Sequence, residues 1–391
     1  MVLKDEIDLI IEEIISIRRD IHAHPELGME EYRTAEIIKG FLDKNNIENY
    51  SIANTGVVGV IKGQNGGKTV AIRADIDALP IEEKTDLSFK SVHPNKMHAC
   101  GHDVHTAILL GAGQILKKME NDLTGNVKLF FQPAEETVGG ALPMINEGCM
   151  DNPKVDFVIG LHVSVNIPTG SVQFKYNKMN ASTDEFTINV SGKAGHGAYP
   201  QDTVDAIVIA GHLITALQTV VSRNISPIES VVISIGTIQG GSGSNIIADK
   251  VHMTGTLRAL NEQQRQSAKN NIIRIVENTC SSMGGIGRVE FTEGYKALVN
   301  NDEVVDILKE KAVELLGKDH VYIANEPSLG AEDFSFFLDK AKGAFYNLGC
   351  GNINQNIVHK GHHPMFLVDE DCIKTGILLQ VENAISLLNN K

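Results

Sequence analysis

Val127-Lys128-Leu129-Phe130-Phe131-Gln132-Pro133-Ala134-Glu135-Glu136 runs from a short apolar segment through a proline into two adjacent carboxylates. An apolar run of this length, closed by a residue that cannot donate to a ladder, reads as a buried strand and its exit. In α/β sheets, ligands and catalytic groups collect just beyond the C-terminal ends of strands. A solvated acidic turn would look the same in isolation. The place after a buried strand and before Gly139-Gly140 makes this pair a candidate site instead. Neighbours in an extended segment point opposite ways. One acid can therefore hold a divalent cation while the other faces a water and takes its proton.

The same pattern recurs outward from this segment. Val155–Leu161 is a second buried-type strand, with His162 directly after it. Gly56–Ile61 and Lys68–Arg73 read as strands, joined by a turn at Gln64-Asn65-Gly66-Gly67. Helical patterns cover 4–46, in two pieces around His22-Ala23-His24-Pro25-Glu26-Leu27-Gly28, and about 104–119. Near residue 181 the order changes. Strands at 185–190, 231–235, 251–257 and 288–291, with helices at 202–221 and 261–283, give β-α-β-β-α-β, the ferredoxin-like arrangement. After about Leu298 the helix–strand mixture resumes. The expected fold is an α/β domain in two parts, 1–180 and 296–391, interrupted by an α+β insert at 181–295.

His98-Ala99-Cys100-Gly101-His102-Asp103-Val104-His105 gathers metal-ligand types in one stretch. Cys100 and His102 reach one cluster if Gly101 turns the backbone sharply, and a thiolate can bridge two ions. His98 and His105 read as supporting residues; His105, one turn beyond His102, is also placed to cap the helix. Asp75-Ile76-Asp77 follows a strand, with both carboxylates on one face. They read as acceptors that orient a ligating histidine, although ligands or a helix cap before Pro80 fit the same residues. Gly361-His362-His363-Pro364 offers one more histidine, and the residues alone do not choose which. Two rival readings use the same cluster. Cys100 could be a nucleophile with His102 or His105 as its base, or the site could be a closed structural zinc centre on a non-catalytic scaffold. The surplus of ligands weighs against the first, and a second acid beside Glu136 against the other.

The bulk figures narrow the field. The 391 residues are 42% hydrophobic and 21% charged, enough for two globular domains. A formal charge of −14 repels phosphate backbones, so nucleic acid is not an expected partner. The first residues alternate acids and aliphatics at helical spacing, unlike a signal peptide. No apolar run approaches the roughly 20 residues a membrane span needs, so no membrane is expected. Five cysteines, an odd number without disulfide spacing, suggest a reducing cytoplasm.

Taken together, these motifs resemble the aminoacylase/carboxypeptidase-type di-metal hydrolase superfamily, in the amidohydrolase branch that holds hippurate hydrolase, auxin-conjugate hydrolases and N-acetyldiaminopimelate deacetylase. The matching pieces run almost end to end: His24–Gly28, Arg73–Pro80, Met97–Asp103, Phe131–Glu136, Gly160–His162, Gly192–Gly197, Ser244–Ile247, Gly255–Arg258, Gly330–Phe334 and His362–Pro364. The resemblance implies a di-metal exopeptidase-like catalytic domain with the insert as a lid and dimerisation domain, hence a homodimer. It implies two divalent ions (zinc, manganese, cobalt or nickel) held by Cys100, His102, Glu136, His162 and His362, the last selected by a His-any-Pro pattern. Cys100 would be the bridge and Glu135 the general base. His196 would stabilise the oxyanion from the partner subunit, and Asn245 and Arg258 would hold the substrate's α-carboxylate. The implied reaction is hydrolysis of a small-molecule N-acyl amino acid, with a dipeptidase or carboxypeptidase as the alternative.

Overall fold

A computed structural model describes residues 3–64 and 66–390, so Asn65 of the expected 64–67 turn lies outside the described residues. The chain divides into two compact units. One contains the chain up to Asn177, Val299–Glu326 and the chain from Asp333 onward; the other is Lys178–Leu298 with Pro327–Glu332.

The first unit begins with helices α1 (Leu3–Ala23) and α2 (Tyr32–Lys44). Strands β1 (Glu48–Ile52), β2 (Gly56–Lys62) and β3 (Thr69–Asp75) follow. Helix α3 (His102–Lys118) separates β3 from β4 (Asn126–Gln132), and β5 spans Phe157–Pro168. All these strands join one eight-stranded sheet in the order β1-β2-β4-β3-β5, continued by Lys342–Gly351, Val172–Phe174 and Val321–Ile323. β3 runs parallel to both β4 and β5, and β5 parallel to Lys342–Gly351. Every residue of β3 is buried, as a parallel strand covered on both faces requires.

Register aligns the ends. Asp75 pairs with Gln132, and Arg73 with Gly160, so Asp75, Gln132 and the neighbourhood of His162 emerge on one edge of the sheet. His162 does not follow its strand, as expected from the sequence. β5 continues through it to Pro168 because Lys342–Gly351 supplies a parallel partner, with Asn347 opposite His162.

The second unit is a four-stranded antiparallel sheet, Val231–Gly240, Lys250–Ala259, Ser182–Ser191 and Ile286–Glu293 in spatial order, packed by the helices Ala206–Thr219 and Glu262–Ser282. This is the ferredoxin-like order read from the sequence. One stretch is more apolar than that reading allowed: Ala206–Asn224 is long and apolar enough, by length and composition, to cross a membrane. Its Ala206, Ile209, Ala210, Leu213 and Leu217 are buried in the core of their own unit.

Candidate metal centre and base

Cys100 and His102 reach the sheet edge from the turn that opens α3. Gly101 makes the turn at φ +88°, and a Cβ there would lie 2.4 Å from Val163 Cγ2. Only glycine meets both conditions. Cys100 Sγ lies 3.3 Å from His162 Nε2. Ligand-type atoms of Cys100, His102 and His162 all lie within 4.8 Å of one another, and those of Cys100, Glu136 and His362 form a second such group. Cys100 belongs to both groups, which is the geometry that a bridging thiolate needs.

The histidines are oriented from behind. His102 Nδ1 donates to Asp77 Oδ1 at 3.0 Å, and His162 Nδ1 donates to the Val163 carbonyl at 2.8 Å. Each bond fixes a tautomer whose Nε2 faces the cluster, the arrangement found around metal-ligating imidazoles. His102 Nε2 is buried and has no hydrogen-bond partner, a costly state for a polar atom unless an ion takes its lone pair. His105 falls in a group with Asp75 and His102, but both of its ring nitrogens are already engaged. Its Nδ1 donates to Asp75 Oδ1 at 2.6 Å, and its Nε2 accepts the Val163 N–H at 2.9 Å. His98 stays outside the clusters, fully buried, with neither ring nitrogen hydrogen-bonded.

At the C-terminal loop it is His362 that turns inward, with Nε2 3.0 Å from Glu136 Oε1. It does so at φ +65°, a left-handed conformation uncommon for histidine. His363 instead stacks on His359, with centroids 4.3 Å apart.

Glu135 and Glu136 depart from the extended-chain expectation. Ala134 has φ +54° and the chain from 135 to 138 is a turn, so the two acids do not point opposite ways. Ligand-type atoms of His102, Glu135 and Glu136 form another group within 4.8 Å. Glu136 is tied back by its N–H, which donates to Asp77 Oδ2 at 2.9 Å.

The charges explain the protonation pattern. Burial alone would raise the Cys100 thiol, but His162, which is hydrogen-bonded to it, and the neighbouring His102 and His362 bring it to about 6. Burial opposes charge on His162 too, yet Cys100 raises it to about 9. Hydrogen bonds to Cys100 and Glu136 raise His362 to about 10. The anions thus draw positive charge onto the imidazoles, a demand that divalent cations would also meet. The donor set of thiolate, imidazole and carboxylate suits such ions. Asp75, despite complete burial, is held well below the usual carboxylate range by His102, His105 and Arg73.

Several contributors carried no role in the sequence reading. Arg73 is fully buried and donates to Asp75 Oδ2 at 2.7 Å, Gln132 Oε1 at 2.9 Å and Asp333 Oδ1 at 3.0 Å. Asp333 also accepts from Gln132 Nε2 and the Ala141 N–H. Glu31 is buried beside the 133–139 segment, and burial pushes its carboxyl up to about 7. Because this folded value lies above the unfolded one near 4.5, the group's stabilising contribution is complete below pH 4.5 and is lost as pH rises through 7. Glu31→Gln should therefore gain stability over the unsubstituted protein between pH 5 and 8, by roughly 3 kcal/mol at most. Denaturant melts at the two pH values check the sign.

In the second unit, Gly195–His196 pairs with Ile246–Ile247, and the Gly197 N–H donates to the Asn245 carbonyl at 2.8 Å. His196 and Asn245 are therefore brought together. Arg258 is not with them. It sits opposite Val232 and Thr183, while the Lys250 end of the same strand lies opposite Ser191, near the His196 segment. Roughly 25 Å of strand separates the two ends at 3.3 Å per residue.

The sequence profile of Peptidase family M20/M25/M40 matches residues 71–382. Thermostable carboxypeptidase 1 of Saccharolobus solfataricus is 42% identical, over 99% of this chain and 98% of that protein. N-acetyl-L-cysteine deacetylase of Bacillus subtilis is 38% identical, over 97% of this chain and 89% of its own. The crystal structure of Bacillus subtilis YXEP, described as a dinuclear metal-binding peptidase, is 32% identical with a TM-score of 0.86, covering 98% of this chain and all of that one. The chain belongs to peptidase family M20/M25/M40 and is a metal-dependent hydrolase of amide bonds.

Proposed function

We propose that the chain hydrolyses N-acyl amino acids to a carboxylic acid and a free amino acid. The observation that carries this reading is the convergence of Glu135 on His102 and Glu136, within a cluster that also holds two overlapping ligand groups. Cys100, His102, Glu136, His162 and His362 would hold two divalent ions, with zinc favoured by the thiolate and imidazoles, and manganese, cobalt or nickel also compatible. When bound, such ions polarise the acyl carbonyl and acidify water. Glu135 accepts the proton of the attacking water on its carboxylate and returns it to the leaving nitrogen. Asp77 and the Val163 carbonyl keep the Nε2 atoms of His102 and His162 turned to the cluster.

The second unit, read as the insert 181–295, acts as a lid and pairs two chains into a homodimer. His196 then donates to the oxyanion in the partner's site, and Asn245 and Arg258 hold the substrate carboxylate. The separation of Arg258 from the His196–Asn245 pair along one strand supports a site completed by two chains. Arg258 suits the task because its planar fork matches a carboxylate. All five cysteines are free thiols, which supports a reducing cytoplasm as the working compartment.

A panel of acetyl and benzoyl amino acids, their α-amides and dipeptides tests the substrate class. N-acyl amino acids should turn over, and their α-amides should lose about 100-fold in kcat/KM, the order expected when a charged partner is left unpaired. Turnover confined to dipeptides would favour the carboxypeptidase reading, which the 42% identical relative supports. No turnover of any acyl amino acid would end the present one.

A further inference from the structure

The turn that carries Glu135 is anchored on both sides by buried carboxylates. On the far side, Asp77 Oδ2 accepts the Glu136 N–H at 2.9 Å. On the near side, Glu31 Oε1 accepts the Ala134 N–H at 2.8 Å. The peptide that follows Glu135, and the one that enters Ala134 just before it, are thus each fixed by one acid. Asp77 also serves His102, so its place is explained by the metal centre. Glu31 touches no ligand of that centre, and its other oxygen accepts the Thr55 hydroxyl at 2.5 Å. Glu31, Thr55 and Ala134 are all buried.

The geometry around Ala134 needs such a clamp. Its φ of +54° is unfavourable for a residue with a Cβ, and the Gly139 N–H closes the turn on its carbonyl at 3.0 Å. The Glu26–Glu31 segment packs directly on this turn: a Cβ on Gly28 would lie 2.3 Å from Thr137 Oγ1 and 3.0 Å from Ala134 Cα. That segment is pinned in turn, since the Ala78 N–H donates to the Glu26 carbonyl at 2.8 Å. The groups bearing on Glu31's charge are Thr55, two backbone amides and the carboxylate of Asp77. None is a cation. A buried acid so placed costs stability, and the hydrogen bond it returns goes to the amide of Ala134, the residue before the base.

We infer that Glu31 is a positioning residue for Glu135: by holding the Ala134 amide it keeps a left-handed turn in the one shape that aims the base at the metal cluster. The inference rests on Glu135 being the base. It extends that reading to the His24–Gly28 region, whose link to the site is otherwise unexplained.

The test compares Glu31→Ala with Glu31→Gln in the full chain reconstituted with zinc, alongside hydrogen exchange of the backbone over 131–140. Glu31→Ala should lose about 10- to 100-fold in kcat with KM nearly constant, the scale of a small misplacement of a catalytic group. The Ala134 amide should exchange faster in that variant, while Ser182–Ser191 in the other unit exchanges at the original rate. Glu31→Gln keeps an oxygen for the Ala134 N–H and an amide for Thr55 Oγ1. It should recover most of the kcat and the slow exchange. If Glu31→Ala does not fold, Thr55→Val, which removes one anchor from the carboxylate, should give a several-fold loss in kcat and the same local exchange. Full kcat in Glu31→Ala, or in Thr55→Val where it stands in, overturns the inference, as does an equal loss in Ala and Gln variants. Turnover by Glu135→Ala would instead remove the base assignment itself, a distinguishable failure.

Discussion

Glu135→Ala is expected to lower kcat by about 100- to 10,000-fold, the usual range for losing a general base, while the protein still binds its ions. The distinction between the neighbouring acids makes the result diagnostic. Glu136 is the one in hydrogen-bond contact with His362, and it shares a ligand group with Cys100. Its loss should release metal along with activity. Glu135 lies with His102 and Glu136 but outside both Cys100 groups. Elemental analysis of the two purified variants, beside single-turnover rates, separates the roles. A Glu135→Ala protein with near-normal turnover, or one stripped of metal, would refute its assignment as base.

Exhaustive chelation is expected to abolish turnover and to lower the melting temperature, with zinc or manganese restoring both. A ligand that binds only the folded chain stabilises it by about 4 kcal/mol at a thousandfold excess over its dissociation constant. The structural reason is local. His102 Nε2 is buried without a partner, and Asp75, Cys100 and Glu136 crowd negative charge into one edge of the sheet. Binding must also displace protons from His162 and His362, both raised above the ordinary imidazole range, so affinity should weaken as pH falls. Two restored ions per chain would match the two groups that share Cys100. Activity that survives chelation would instead favour Cys100 as a nucleophile, and a single inert ion would favour a structural site.

How far the sequence carried these conclusions depended on range. Val127–Phe131 and Val155–Leu161 announce strands because parallel strands covered on both faces are apolar throughout. The insert was legible from its alternating strands and amphipathic helices. The strand Lys342–Gly351 was read only as part of a helix–strand mixture, since Gly343, Gly349 and Gly351 interrupt its pattern. The same strand is what carries β5 past His162. At the site, Asp75 and Asp77 were legible as histidine acceptors because period-two alternation puts them on one face. The relation of Glu135 to Glu136 was misjudged, because nothing local signals that Ala134 turns left-handed. Arg73, Asp333 and Glu31 received no role because their partners lie far away in sequence: Arg73 meets Asp333, and Glu31 meets Ala134.

The position of Lys342–Gly351 between β5 and Val172–Phe174 has a consequence for biosynthesis. A nascent chain that has emerged only through the second unit has the inner strands of the first unit but not the strand that separates β5 from Val172–Phe174. It also lacks His362 and the helix Cys372–Asn389, whose apolar face packs beside α1 and α3. The insert can close its own core while still attached to the ribosome, since its strands and helices are nearly contiguous. The larger unit waits for its last fifty or so residues, as pairing distant in sequence must. A truncation before residue 342 should therefore yield a folded insert on an unfinished sheet, lacking His362.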